Sequence, residues 1–560
     1  MKKCALVLPT PALTTCGNAK TPKATVNPNI IVILAGIIPS LAAAAEKTSA
    51  PASRPNILFC IADDASYHHF GAAGCRWVDT PAFDRVASHG LFFANCYTPN
   101  AKSAPSRACI LTGRYSWQLK EAGNHICNFP AEFGVFTETL ASGGYLVACT
   151  GKGWAPGNPG SINGRPRQLT GEAYQQHKLK PPTKGISNND YSANFAQFLD
   201  ESGGKPWFFW FGGTEPHRSY EYGSGVAKGG RKPGDIDHVP AFWPDCEQVR
   251  NDMLDYGYEI EWFDSHIGRM LAELERRDML HNTLVVITSD NGMPFPRSKA
   301  NNYEFSHHMP LAAMWPDGVA NPGRRIEDFV SFVDFAPTFL EVCGIGKGQS
   351  NMQPITGQSI MPILRSSKNG RVVASRDHIL LGRERDDYGR PNNEGYPIRA
   401  IIRGELLYIN NLKPDRWPAG NPETGYLDID GSPTKSVILE MKRSGESGWF
   451  YQMSMGVRPS EELYDLAADP DCIRDLARDK AYAARKEALH KELYAALKRQ
   501  GDPRTVGGGD VFDSYPFDSP DKWNFYERVV SGEVQAPWKQ TRWVEPADYD
   551  AFRPSKTVAK

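Results

Sequence analysis

The chain has 560 residues and a formal net charge of −1, with a sequence pI near 6.9. That length is enough for a large core and more than one domain. The neutral balance excludes a nucleic-acid binder that works by neutralising phosphates, while permitting a local cationic pocket for an anionic substrate.

Residues 1–45 read as an export leader. Lys2 and Lys3 precede a short apolar stretch, Cys4–Pro11, a better apolar run follows at Ile30–Ile38, and Ser40-Leu41-Ala42-Ala43-Ala44-Ala45 suits a signal peptidase. The run is too short to span a membrane, so any membrane association goes through the leader, and the protein is expected in the periplasm or outside the cell. A linker follows at 46–54. Of eleven cysteines, Cys4 and Cys16 fall in the leader. The other nine show no CxxC pair and form no disulfide framework; Cys60 and Cys149 read as small buried apolar residues.

From 55 to 370 strands alternate with helices, the pattern of an α/β domain with a doubly wound, mostly parallel sheet. Pro55–Ala62 is a continuous apolar run, hence a buried strand, and Asp63-Asp64 sit at its carboxyl end, where open α/β sheets bind ligands. Thr80-Pro81 opens a helix that Gly90 closes. Ser103–Arg114 reads as a turn entering a helix, with Ser103 as N-cap and Pro105 at the first helical position. Arg107, four residues on, shares a face with Ser103. A hydroxyl at the positive end of a helix, with a fixed cation beside it, suits attack on a phosphoryl or sulfuryl group. Further strands are expected at 144–150, 207–211 and 284–289, and helices at 190–201, 246–278 and 334–342. Asp290-Asn291 follows the last strand as Asp63-Asp64 follows the first. Three carboxylates and an amide oxygen make a hard-oxygen site suited to Ca²⁺ or Mg²⁺.

Beyond 370 the character changes. Short strands at 378–381, 398–403 and 405–410, then a charged helix at 481–499, indicate a smaller C-terminal subdomain over 371–500 with an antiparallel sheet and a helix. The tail, 501–560, has no clear periodicity and either wraps the domain or is partly disordered.

The run Ser-x-Pro-Ser-Arg-x-x-x-Leu-Thr-Gly-Arg from Ser103 to Arg114 resembles the signature of type I sulfatases, of the Ser kind. The resemblance implies an alkaline-phosphatase-like fold and conversion of Ser103 to formylglycine by a maturation enzyme. It implies a calcium ion, with Mg²⁺ as the other hard cation, held by Asp63, Asp64, Asp290, Asn291 and the residue at 103. Arg107 and Lys152 would offset sulfate charge, Lys299 would be the cation on the leaving-group side, and His217 would protonate the leaving atom. This chain departs from the family at Trp154, where sulfatases usually carry the histidine that helps release sulfate. His125 is a loose substitute, with a surface loop as its plainer reading.

Ser289–Pro296, Glu215–Arg218, Tyr396–Arg399 and Glu462–Leu466 are further similar to the heparan N-sulfatase (sulfamidase) branch, and together the likeness covers most of 55–480. The substrate implied is a sulfated oligo- or polysaccharide, cut at S–O or S–N, with Arg385 and Arg399 as candidates for binding a uronate or second sulfate. Two other readings stand beside this one: a noncatalytic sulfated-glycan-binding protein, and a phosphatase or phosphodiesterase of the same superfamily using unmodified Ser103. The last would call for a second metal site of His and Asp, which the sequence does not assemble.

Overall fold

Every residue of Asn56–Ala62 is buried, as a run with no polar alternation requires. This strand, β1, is central in an eight-stranded sheet. The others are β2 Leu91–Tyr97, β3 Leu146–Gly151, β4 Glu172–Ala173, β5 Trp207–Gly212, β6 Thr283–Ser289, β7 Leu311–Met314 and β8 Arg324–Ser331. Their spatial order is β8-β2-β7-β6-β1-β5-β3-β4, and only β7 runs antiparallel to its neighbours. The computed structural model describes residues 54–346, 349–541 and 543–549; the leader lies outside the described residues, as does all of the linker but its last residue.

Successive side chains of a strand point to opposite faces, and β1 divides accordingly. Ile57, Phe59 and Ile61 join one core with the helices Ser103–Thr112 and Phe335–Val342. Leu58, Cys60 and Ala62 join the other with the helices Pro81–Ser88, Tyr191–Glu201 and the thirty-residue Glu247–Arg276. The sheet is therefore covered on both faces. The nine described cysteines are all free, with Cys60 and Cys149 buried.

The smaller sheet is antiparallel and four-stranded, formed in chain order by His378–Arg383, Ile398–Arg403, Leu406–Asn411 and Glu461–Asp465. Ile401, Tyr408 and Leu463 from this sheet and Leu493 from the helix Ala483–Arg499 share the first core, so the sheet packs directly against the larger one's layer. A helix not anticipated from sequence, Pro433–Ser444, buries Ile438 and Leu439 in the second core. The described tail is folded: Phe525, Val529, Val534, Val544 and Tyr549 pack with Ile126, Tyr388 and Leu427. Among the described residues no helix is long and apolar enough to cross a membrane.

Candidate active site

Ala62 pairs with Ser289 in the parallel β1–β6 register. The next residues on each strand, Asp63-Asp64 and Asp290-Asn291, therefore leave the sheet side by side. Asp64 adopts φ +75°, a left-handed conformation uncommon outside glycine, which turns its carboxylate toward its neighbours. The backbone N–H groups of Asp64 and Asn291 both donate to Asp290 Oδ1, at 3.0 and 2.8 Å, and Asn291 Nδ2 donates to Asp64 Oδ1 at 2.6 Å. Asp63, Asp64 and Asp290, at most 2% exposed, each bring a carboxylate oxygen within 4.8 Å of the other two.

Three buried carboxylates this close need cations. Lys152 donates to both oxygens of Asp63, at 2.8 and 2.7 Å, and to Ser103 Oγ at 3.1 Å. Arg107 Nε donates to Asp290 Oδ2 at 2.8 Å, and its Nη1 to the carbonyls of Lys152 and Gly153. Lys299 Nζ lies between Asp64 Oδ2 (2.7 Å) and Asp430 Oδ2 (3.0 Å). Burial pushes the Asp63 carboxyl up, but Lys152, His217, Arg107 and Lys299 hold it far below the usual carboxylate range. Burial likewise opposes the Lys299 charge, and Asp430, Asp64 and Asp63 outweigh it, holding the ammonium well above its ordinary value. For Asp290 burial wins over Arg107 and the carboxyl is raised. The donors that converge are oxygen atoms, and Arg107 Nη2 is buried without a hydrogen-bond partner, 3.7 Å from Asp63 Oδ1. This set fits a hard dication with an anion bound beside it.

Ser103 is 1% exposed and is the first residue of the helix Ser103–Thr112, not its cap; Lys102 holds the cap position with extended backbone. Ser103 Oγ donates to Asp63 Oδ1 at 3.1 Å. The position of Lys152 depends on glycine. Gly151 has φ +77°, and a Cβ there would lie 1.9 Å from the Gly212 carbonyl, so only glycine lets β3 turn its next residue inward at this point. His217 follows β5 and places Nε2 3.8 Å from Asp64 Oδ2, with Nδ1 2.7 Å from the Arg218 carbonyl.

These groups open into a cavity of about 320 Å³ whose lining includes Ser103, Lys152, His217 and Lys299. Apart from His125, the rest of its wall was not read from sequence. Lys102, His125, Asp387 and Asp430 line it, as do Asp518, Lys522 and Trp543 from the tail. Asp387 joins Lys102 at 2.6 Å to His125 Nδ1 at 3.3 Å. His125 is 7% exposed, which replaces the surface-loop reading; burial pushes its imidazole down to about 4 against the pull of Asp387. Lys299, at 4% exposed, is no surface lysine either. Trp154 fills its own position by donating from Nε1 to the Ala104 carbonyl at 2.9 Å.

Arg385 and Arg399 are not on this wall, which corrects their assignment to substrate. Arg399 is bound by Asp502 and Glu384. Arg385 donates to the carbonyls of Asp513 and Tyr515 and lies 3.9 Å over the Phe517 ring. Both are at most 1% exposed; Arg399 and the two Nη groups of Arg385 are bonded within the fold, and Arg385 Nε is buried without a partner.

The sulfatase family model matches residues 55–345, more than half of the chain. The chain belongs to the sulfatase family. Sulfatases are hydrolases of sulfuric esters, and the matched span contains Ser103 and the whole acid cluster. An ulvan-active sulfatase of Formosa agariphila is 27% identical over 470 residues, covering 82% of each chain. The N-sulphoglucosamine sulphohydrolase of Homo sapiens is 26% identical over 475 residues, covering 79% of this chain and 89% of its own. Among solved sulfatase-like folds, BT4656 in complex with its substrate D-glucosamine-2-N,6-O-disulfate superposes with a TM-score of 0.58 at 21% identity, over 80% of this chain and 99% of that one.

Proposed function

We propose that this sulfatase removes sulfate from a sulfated oligo- or polysaccharide, and that it does so through a formylglycine made from Ser103. The observation that carries the reading is the setting of Ser103 Oγ, 3.1 Å from both Asp63 Oδ1 and Lys152 Nζ at the floor of a cavity. Conversion of Ser103 would supply a geminal diol, one oxygen to attack sulfur and one to release sulfate, a step an unmodified serine lacks. Asp63, Asp64, Asp290, Asn291 and the residue at 103 would hold Ca²⁺, or Mg²⁺, which when bound polarises sulfate oxygens.

The chain's own residues do the rest. Lys152 and the unpartnered Nη2 of Arg107 offset charge that grows on the sulfate oxygens in the transition state. Lys299 fixes Asp64 and Asp430 and adds positive charge on the leaving-group side. His217 faces the cavity through Nε2, its other nitrogen anchored on a backbone carbonyl, and from there it protonates the departing sugar oxygen or nitrogen. With Trp154 in place of the usual histidine, His125 is the imidazole left to take a proton at sulfate release. Its Nδ1–H is assigned to the Asp387 carboxylate, which leaves Nε2 free to accept. The relatives named above support a glycan substrate. N-sulfoglucosamine and ulvan fragments are the substrates to screen first, and the leader of 1–45 supports export to where such polymers occur.

One observation favours the phosphatase reading. Asp64, His217 and Asp430 also bring ligand atoms within 4.8 Å of one another, a His/Asp group of the kind a second metal would use. The Lys299 ammonium, bonded to both carboxylates, takes that position. The mass of the tryptic peptide that begins at Ser103, from protein made in its own host, tests the proposal. Loss of two hydrogens with aldehyde labelling is expected, together with sulfate release from the substrate; an intact serine throughout would move the assignment to phosphoryl transfer or to glycan binding alone.

A further inference from the structure

Away from the catalytic cavity, His68, Glu304 and His308 bring three ligand atoms within 4.8 Å of one another. We propose that they form a separate binding site for a transition-metal dication of the zinc class. His68 belongs to the short turn Tyr67–His69. Glu304 and His308 are four residues apart on the turn Glu304–His307 and its cap, hence on one face.

The imidazole of His308 is already oriented as a ligand. Its Nε2 lies 2.8 Å from the Ala94 carbonyl, which accepts a ring proton there, and its Nδ1 faces Glu304. A backbone carbonyl on the far nitrogen is the usual support of a metal-bound histidine. Tyr67 and Tyr97 clamp the ring from either side, with centroids at 3.8 and 4.5 Å and planes within 13°. Tyr97 also donates to the second oxygen of Glu304, at 3.4 Å.

The His308–Glu304 contact taken alone is an ordinary ion pair. It leaves His68 unexplained, because His68 Nδ1 is a buried nitrogen with no hydrogen-bond partner. Leaving such a group unpaired is unfavourable, and a metal ion shared with His308 and Glu304 satisfies it. Two nitrogens and one carboxylate oxygen select zinc or cobalt over calcium, unlike the oxygen ligands of the acid cluster. The three side chains line a cavity of about 430 Å³ that leaves room for water or a small anion at the remaining coordination position.

Cobalt provides the test, because nitrogen-ligated Co²⁺ of low coordination absorbs strongly in the visible and Co²⁺ among oxygens does not. The full chain is stripped with chelator, reloaded with Ca²⁺ and titrated with Co²⁺, with binding followed by absorbance and calorimetry. One equivalent with visible bands is expected, weakened at least about tenfold in both His68→Gln and Glu304→Gln and kept in Asp64→Asn. Glu304→Gln preserves the side-chain shape, which covers the case in which His68→Gln does not fold. Absence of visible bands would overturn the proposal. So would bands unchanged in both variants, or bands lost only in Asp64→Asn, which would place the ion in the catalytic cluster.

Discussion

Arg399 grips Asp502 at two points, with Nε 2.7 Å from Oδ2 and Nη2 2.9 Å from Oδ1. Both side chains are buried, and the pair ties the second strand of the smaller sheet to the start of the tail. Nη2 also donates to Glu384, whose other oxygen receives Arg504. Removing one partner of a buried pair leaves a charge with nothing to neutralise it. Arg399→Ala is therefore expected to lower unfolding free energy by about 3–5 kcal/mol, read by urea denaturation. The KM of the folded fraction should stay as it is. A raised KM with unchanged stability would restore this arginine to the substrate.

His217 is assigned to the leaving atom, so its loss should matter most where that atom leaves badly. His217→Ala should cut turnover of a sugar sulfate by roughly 10²–10⁴. An aryl sulfate whose phenolate leaves unaided should lose far less. Equal losses on the two substrates would mean that His217 binds sulfate without moving a proton.

Trp543 lines the cavity, its indole held by Nε1–H to the Leu427 carbonyl at 3.0 Å. Sugar rings pack on aromatic side chains. Trp543→Ala should raise KM for a sulfated oligosaccharide about tenfold, the equivalent of about 1.4 kcal/mol, and leave kcat for a small aryl sulfate unchanged. Steady-state kinetics on the two substrates decides it; equal KM values for variant and parent would remove the tail from recognition.

Asp264 accepts the N–H groups of Ala82 and Phe83, both at 2.8 Å, in the first turn of Pro81–Ser88. Burial nonetheless pushes its carboxyl up to about 7, against the pull of those two bonds. The folded state then holds this proton more tightly than the unfolded chain does. Its contribution to stability is complete below the ordinary carboxylate range and is lost as pH rises through 7. Relative to Asp264→Asn, the parent protein should lose about 3 kcal/mol between pH 5 and pH 8, measured by urea unfolding at each pH. A difference between the two proteins that is flat with pH would show that the group is already ionised at pH 5.

The floor of the cavity was legible because its residues follow strand ends. Asp63-Asp64, Lys152, His217 and Asp290-Asn291 come directly or almost directly after runs whose apolar character marks buried parallel strands, and such strands deliver their next residues to one edge. Ser103 and Arg107 came from a motif whose spacing a helix explains. Most of the wall was not legible: His125 stood out only as a loose candidate, and Lys102, Asp387, Asp430 and Trp543 sit in loops and turns without periodicity and meet only through the tertiary fold. Arg385 and Arg399 show the opposite error. A sequence displays a charge but not its neutraliser, and Asp502 lies 103 positions from Arg399.

The part of the cavity wall carried by Asp518, Lys522 and Trp543 is also the last to be synthesised. At ordinary ribosome speeds, roughly 10–40 s separate the end of the sulfatase-family span from the emergence of Trp543. During that interval the nucleophile, the acids and their cations exist in a chain whose binding groove still has one side open. Sulfate capture and sugar recognition thus come into being at different times in the life of one polypeptide.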